Sequence, residues 1–175
     1  ILGGHPTKEK IPGCEASTGS LGHGLSIGIG LALNARIEKA NYRTFVMLGD
    51  GECNEGSIWE GALSAAKNKL DNLYVLVDYN KFQSYATTEE VCNLEPFAKK
   101  WEAFGFKTFE VDMKKNPLEL KDILEKSPME KGKPTAIILH TIKGQGISFV
   151  EGDLDWHHKS KITEEELDQM VAELQ

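Results

Sequence analysis

Apolar and polar positions switch between two periods along the chain. In residues 21–39, Leu25, Ile29, Ala32 and Leu33 recur at three- and four-residue spacing, which predicts an amphipathic helix. Gly19, Gly22, Gly24, Gly28 and Gly30 crowd the beginning of this segment. Glycine is costly inside a helix, so a close approach to the backbone is expected there. Thr44-Phe45-Val46-Met47-Leu48 is short, apolar and β-prone and runs into Gly49-Asp50-Gly51, a strand followed by a turn. Residues 57–70 carry Ile58, Trp59, Ala62, Leu63, Ala65 and Ala66 at helical spacing, and Leu73-Tyr74-Val75-Leu76-Val77 reads as a second buried strand ending at Asp78-Tyr79-Asn80. A helix over 96–104, a strand over 107–111, a helix over 117–125 and a strand over 135–139 continue the alternation. Thr163 followed by Glu164, Glu165 and Glu166 is a capping box that opens a last helix over 164–174.

Strands alternating with helices predict an α/β fold, a mostly parallel sheet with helices on both faces. No repeat, low-complexity tract or linker divides the chain, so residues 1–175 read as one domain. Ligands of such sheets bind outside the carboxyl ends of the strands, which directs attention to Asp50 and Asn80.

Composition narrows the function classes. The 175 residues are 40% hydrophobic, enough for a single core. Lys+Arg 20 against Asp+Glu 27 gives a net charge of −7, which argues against nucleic acid or an anionic membrane surface as partner. No apolar run approaches the ~20 residues of a membrane span. Cys14, Cys53 and Cys92 are odd in number and widely spaced, so neither a disulfide framework nor a zinc site is expected, and a reducing, cytoplasmic setting follows. The chain opens at Ile1 without a signal peptide, and an upstream segment is expected to be missing.

Asp50 and Asn80 end neighbouring predicted strands. A carboxylate, an amide oxygen and a nearby main-chain carbonyl suit Mg²⁺, a hard cation that completes its shell with phosphate and water. Glycines beside Asp50 let a diphosphate approach the backbone, and the following helix start offers N–H donors. G-D-G alone also serves ordinary turns; Asn80 at the next strand end turns the balance toward a metal-bridged diphosphate. A dinucleotide fold is the competitor, yet no G-x-G-x-x-G opens a helix directly after a strand.

Gly49-Asp50-Gly51 with Asn80 resembles the thiamine diphosphate motif. Gly4-His5-Pro6, Ser17-Thr18-Gly19-Ser20-Leu21-Gly22-His23-Gly24, Asn54-Glu55-Gly56-Ser57-Ile58-Trp59-Glu60 and Trp156-His157 are similar to the diphosphate-binding half of transketolases. The resemblance implies a thiamine diphosphate-binding fold with Mg²⁺ held by Asp50, Asn80 and the Phe82 carbonyl. It implies that Gly51 lies against the diphosphate and that Gly19, Ser20 and Leu21 line the cofactor cleft. His5 would stand near the donor-sugar hydroxyls, His157 near the diphosphate and the reacting carbon, and Glu55 and Glu60 would relay protons between paired active sites. The two histidines also suit structural roles, and the two glutamates also suit a helix start, where carboxylates favour the positive dipole end. Trp59 and Trp101 read as core.

The carboxylate that activates the cofactor in this family belongs to a separate pyrimidine-binding domain, to which nothing in these residues is similar. The resemblance therefore implies a transketolase subunit that moves a two-carbon ketol unit between sugar phosphates only with a pyrimidine-binding partner, in a homodimer or heterotetramer. His23, where many full-length relatives carry Gln, points to the two-subunit type; His158, where relatives commonly show Gly, points to a different substrate end. The alternatives are another thiamine diphosphate enzyme, such as a deoxyxylulose-phosphate synthase or a 2-oxoacid dehydrogenase component, and a catalytically incomplete cofactor-binding or interaction domain.

Overall fold

The computed structural model describes residues 4–126 and 128–175. Four strands, β1 (Thr44–Gly49), β2 (Leu73–Tyr79), β3 (Lys107–Asp112) and β4 (Thr135–His140), form one sheet in the order β1-β2-β4-β3 with every pair parallel. The register sets Gly49 across from Asp78, Asp78 across from Leu139, and Leu139 across from Val111. The carboxyl ends of all four strands therefore lie at one level, and the chain leaves β1 and β2 side by side at Asp50 and Asn80.

The helices are α1 (Gly24–Ile37), α2 (Gly56–Lys67), α3 (Thr88–Cys92), α4 (Phe97–Ala103), α5 (Leu118–Glu125) and α6 (Glu164–Glu173). On one face of the sheet, Leu25, Ile29 and Ala32 of α1, Ile58, Ala62 and Ala65 of α2, and Phe97 and Trp101 of α4 bury Val46, Leu48, Val75, Val77 and Ile138. On the other face, Ile123 of α5 packs with Val111, Ile137 and Leu139. Helices thus cover both faces, as the alternating pattern predicts. The cover on the second face stops short of β1, where Phe45 is 47% and Met47 60% exposed. Trp101 is fully buried and Trp59 packs on it with ring centroids 5.2 Å apart, the core role that the sequence suggests.

Local chemistry sets where the elements stop. The expected helix over 21–39 begins only at Gly24, because Gly22 takes a φ of +80°, a conformation that favours glycine. It ends at Ile37, and Lys39 follows with positive φ. The helix expected over 57–70 likewise stops at Lys67, and β2 runs two residues past its apolar stretch. The short α3 lies outside the expected pattern; its signal is Thr87 three residues before Glu90, whose side chains close a capping box. The capping box at Thr163 and Glu166 forms as expected. Among the described residues no helix is long and apolar enough to cross a membrane.

Gly28 shows why α1 tolerates glycine. A Cβ there would stand 2.2 Å from the Val46 Cγ2 atom, so α1 lies against β1 closer than any side chain permits. The close approach expected from the glycine series is here between helix and sheet. Gly28→Ala should therefore destabilise the protein by about 1–3 kcal/mol despite alanine's better helix propensity. Val46→Ala in the same chain should recover part of that loss. Urea unfolding of the two single variants and the double variant checks this, and strictly additive costs would dismiss the contact as the cause.

Candidate functional site

Asp50 follows the last residue of β1 and is 2% exposed. Its backbone N–H donates to the Asp78 carbonyl at 3.2 Å, which extends the pairing of β1 and β2 by one step. The carboxylate accepts from the Gly51 N–H at 2.7 Å through Oδ1 and from the Lys81 N–H at 2.6 Å through Oδ2. Burial pushes its pKa up to about 6; the two backbone bonds oppose the shift and the neighbouring Asp78 adds to it. No basic side chain forms an ion pair with Asp50 among the described residues.

Asn80 leaves β2 beside it. Its Oδ1 accepts from the Phe82 N–H at 2.9 Å, and its Nδ2 donates to Asp78 Oδ2 at 3.0 Å. The first bond is an Asx-turn, helped by Lys81, whose φ of 69° reverses the chain. Phe82 then forms an antiparallel bridge with Thr87, flanked by Gln83 N–H to Ala86 O and Thr88 N–H to Lys81 O. Phe82 therefore occupies the non-hydrogen-bonded position of the bridge, with its own N–H and C=O directed away from Thr87 and toward the Asn80 side. Asp50, Asn80 and Phe82 thus offer a carboxylate, an amide and a carbonyl oxygen. Each retains acceptor capacity, and among the described residues neither Asp50 nor the adjacent Asp78 forms an ion pair; this is the donor chemistry a hard divalent cation takes.

Gly51 opens a 3₁₀ turn, Gly51–Asn54, that Asp50 caps. A Cβ on Gly51 would lie 2.7 Å from the Gln83 Cβ, and the Gln83 Nε2 is buried with no partner. Gln83 therefore packs directly on the Gly51 backbone, a contact that only glycine permits, and keeps an unsatisfied donor beside it. Glu52 ties this turn to the preceding loop: its carboxylate accepts from Gly22 N–H at 2.9 Å and from Gly49 N–H at 3.1 Å. Ser57 Oγ donates to the Gly22 carbonyl at 3.0 Å. These bonds set Gly19, Ser20 and Leu21 beside the β1 end. His5 lies against Gly19, whose Cβ would meet the His5 ring at 2.7 Å. His5, Gly19, Ser20, Leu21 and Met47 line a cleft of about 900 Å³. Met47 also borders a second cleft, of about 420 Å³, walled by Asp78, Asn80, Thr141 and Lys143.

His157 closes a 3₁₀ turn, Leu154–Trp156, and its Nδ1 is buried without a partner. Burial first, then the charges of Lys143 and His158, hold its pKa below the ordinary imidazole range, so the ring is neutral at neutral pH. Glu55 and Glu60 are exposed immediately before and on α2, and Glu55 lies beside Gly22. Cys53 is buried and its thiol is pushed well above the ordinary range by burial and by Glu52 and Asp50, which leaves it unreactive.

Asp78, Glu52, Gln83, Thr141 and Lys143 join the site without being among the residues expected from sequence. For Asp78 a signal is available: residues two apart at a strand end share a face, so Asp78 and Asn80 belong together. For Gln83 and Thr141 there is none, because only the fold brings them to Gly51 and Asp78.

The buried carboxyl gives a test by pH. With a folded value of about 6 against an ordinary 3.8, Asp50 holds its proton more tightly in the folded chain than in the unfolded one. Ionising it therefore costs stability: nothing below about pH 4, rising through pH 4–6, and level above at ~3 kcal/mol in the metal-free protein. Asp50→Asn removes the titration, so its stability relative to the parent should climb across that window. A difference that stays flat from pH 4 to 7, followed by chemical denaturation, would contradict the assignment.

A model of the family described as transketolase, thiamine diphosphate binding domain, matches residues 2–174. An apulose-4-phosphate transketolase subunit of Phocaeicola vulgatus is 45% identical over 177 residues, covering 99% of this chain and 61% of the relative. The 6-deoxy-6-sulfo-D-fructose transketolase subunit SqwG of a Clostridium species is 40% identical over 175 residues, covering 100% of this chain and 63% of the relative. The chain thus spans less than two thirds of the length of these relatives. A transketolase variant from Pichia stipitis in complex with fructose 6-phosphate superposes with a TM-score of 0.86 at 26% identity, over 97% of this chain and 26% of that one. Transketolase from Campylobacter jejuni gives 0.74 at 27% identity, over 82% and 23%. The chain belongs to the transketolase family, in its thiamine diphosphate-binding domain.

Proposed function

We propose that this chain supplies the diphosphate-binding side of a two-subunit transketolase that transfers a two-carbon ketol unit between sugar phosphates. The observation that carries the reading is the convergence of Asp50 and Asn80 from adjacent parallel strand ends, next to the turn that Gly51 opens. The names of the relatives, transketolase subunits, support it.

In this reading residues 1–175 are one diphosphate-binding domain. Asp50, Asn80 and the Phe82 carbonyl hold Mg²⁺, and Gly51 with Gly19, Ser20 and Leu21 bounds thiamine diphosphate. When bound there, thiamine diphosphate would supply a nucleophilic carbon and an electron sink for the two-carbon unit. The chain's own residues anchor, orient and move protons. His157, neutral near pH 7 and with an unpartnered Nδ1, serves as donor or acceptor at the reacting carbon, and His5 at the donor-sugar hydroxyls. Glu55 and Glu60, exposed at the start of α2, face a neighbouring protomer and pass protons between sites. A pyrimidine-binding partner contributes the activating carboxylate, in a homodimer or heterotetramer. The free state of Cys14, Cys53 and Cys92 supports a cytoplasmic setting.

The test is reconstitution. The chain with its pyrimidine-binding partner, thiamine diphosphate and Mg²⁺ should transfer ketol units from ketose phosphates, and the chain alone should not turn over. Asp50→Ala should weaken Mg²⁺-dependent cofactor binding by more than the roughly 10–100-fold that outer partners of a metal ligand cost. A verified complex that consumes pyruvate but cleaves no ketose, or an Asp50→Ala variant of unchanged affinity, rejects the reading.

A further inference from the structure

Asp78 touches both proposed metal ligands without being one of them. Its main-chain carbonyl accepts from the Asp50 N–H, and its Oδ2 accepts from Asn80 Nδ2 at 3.0 Å. Its other oxygen, Oδ1, accepts a short hydrogen bond from the Thr141 hydroxyl. Thr141 directly follows β4 and is itself tied to β2, where its N–H donates to the Tyr79 carbonyl at 3.4 Å. The carboxylate is thus gripped between the ends of two strands.

The chemistry of this contact decides how Asn80 is turned. A carboxylate only accepts, so the atom of Asn80 facing it is the NH₂ group, and the amide oxygen faces the opposite way. That way lie the Phe82 N–H and the side to which the Phe82 carbonyl is directed. An Asn free to rotate could present its NH₂ to the cation instead, which would repel it. Outer partners that orient a ligand are a general device of metal sites.

We propose that Asp78, braced by Thr141, is a positioning residue that fixes the amide of Asn80 with its oxygen toward the metal. The inference rests on the reading of Asp50 and Asn80 as Mg²⁺ ligands. Orientation must be separated from simple charge, since Asp78 also adds negative potential near the site. Thr141→Val does so: it removes a brace of the Asp78 carboxylate without changing the net charge.

The experiment titrates Mg²⁺ in the assembled complex of chain and partner, reading thiamine diphosphate binding by calorimetry rather than turnover. Asp78→Asn should weaken Mg²⁺ about 10–100-fold, and Thr141→Val by a smaller factor in the same direction. Thermal unfolding without Mg²⁺ identifies any variant that fails to fold, in which case Thr141→Val carries the test. Thr141→Val at parental affinity in a folded protein leaves Asp78 with charge alone and overturns its positioning role. If Asp50→Ala binds Mg²⁺ as the parent does, the metal reading falls and takes this role with it; if Asp50→Ala loses affinity while Asp78→Asn does not, only the role of Asp78 is lost.

Discussion

Register between β1 and β2 governs the strand ends. With Gly49 across from Asp78, the first residue beyond β1 donates its N–H to the last full step of β2, and its carboxylate is drawn under the turn that follows Asn80. A slip of one residue would invert the faces of a strand, carrying Val46 and Leu48 out of the core and Asp50 out of reach of Lys81. The buried alternation of Thr44, Val46 and Leu48 against exposed Phe45 and Met47 makes that slip costly. Hydrophobic patterning along β1 thus sets the position of a polar group at its end.

The same stretch concentrates opposed demands. Asp50 is buried, negatively charged above its raised pKa and close to a second carboxylate, and the fold answers with two backbone N–H bonds rather than a cation. Ionised, such a group costs stability by itself, a cost that a cation beside it would offset. Glu52 works differently. Its oxygens hold Gly22 and Gly49 together, so the glycine loop before α1 and the turn after β1 move as one piece.

Much of this is legible in the sequence, because the fold's main periods are written locally. The four strands and all helices but the short α3 follow from apolar spacing and caps, and Asp50 and Asn80 follow from their places at strand ends. What sequence does not supply is tertiary. The glycine series suggests a cradle for a ligand, whereas Gly28 answers to Val46 across the helix–sheet contact. Gln83 meets Gly51, and Thr141 meets Asp78 across 63 positions of chain, pairings that no local rule encodes. Glu55 and Glu60, easily singled out along the chain, are exposed in the fold, and nothing local says what would face them.

The open side of β1 has a consequence for the behaviour of the chain when it is partly unfolded. Thr44–Gly49 is β-prone, carries no charge or proline, and among the described residues pairs only with β2, the composition of a segment that can stack on copies of itself. Charged residues bracket it: Arg43, whose guanidinium lies 5.2 Å from the Phe45 ring centroid, and Asp50. Flanking charges of this kind act as gatekeepers against aggregation. The carboxylate that is buried at the end of β1 in the folded chain therefore also helps to keep the strand from pairing with its own kind when that end opens.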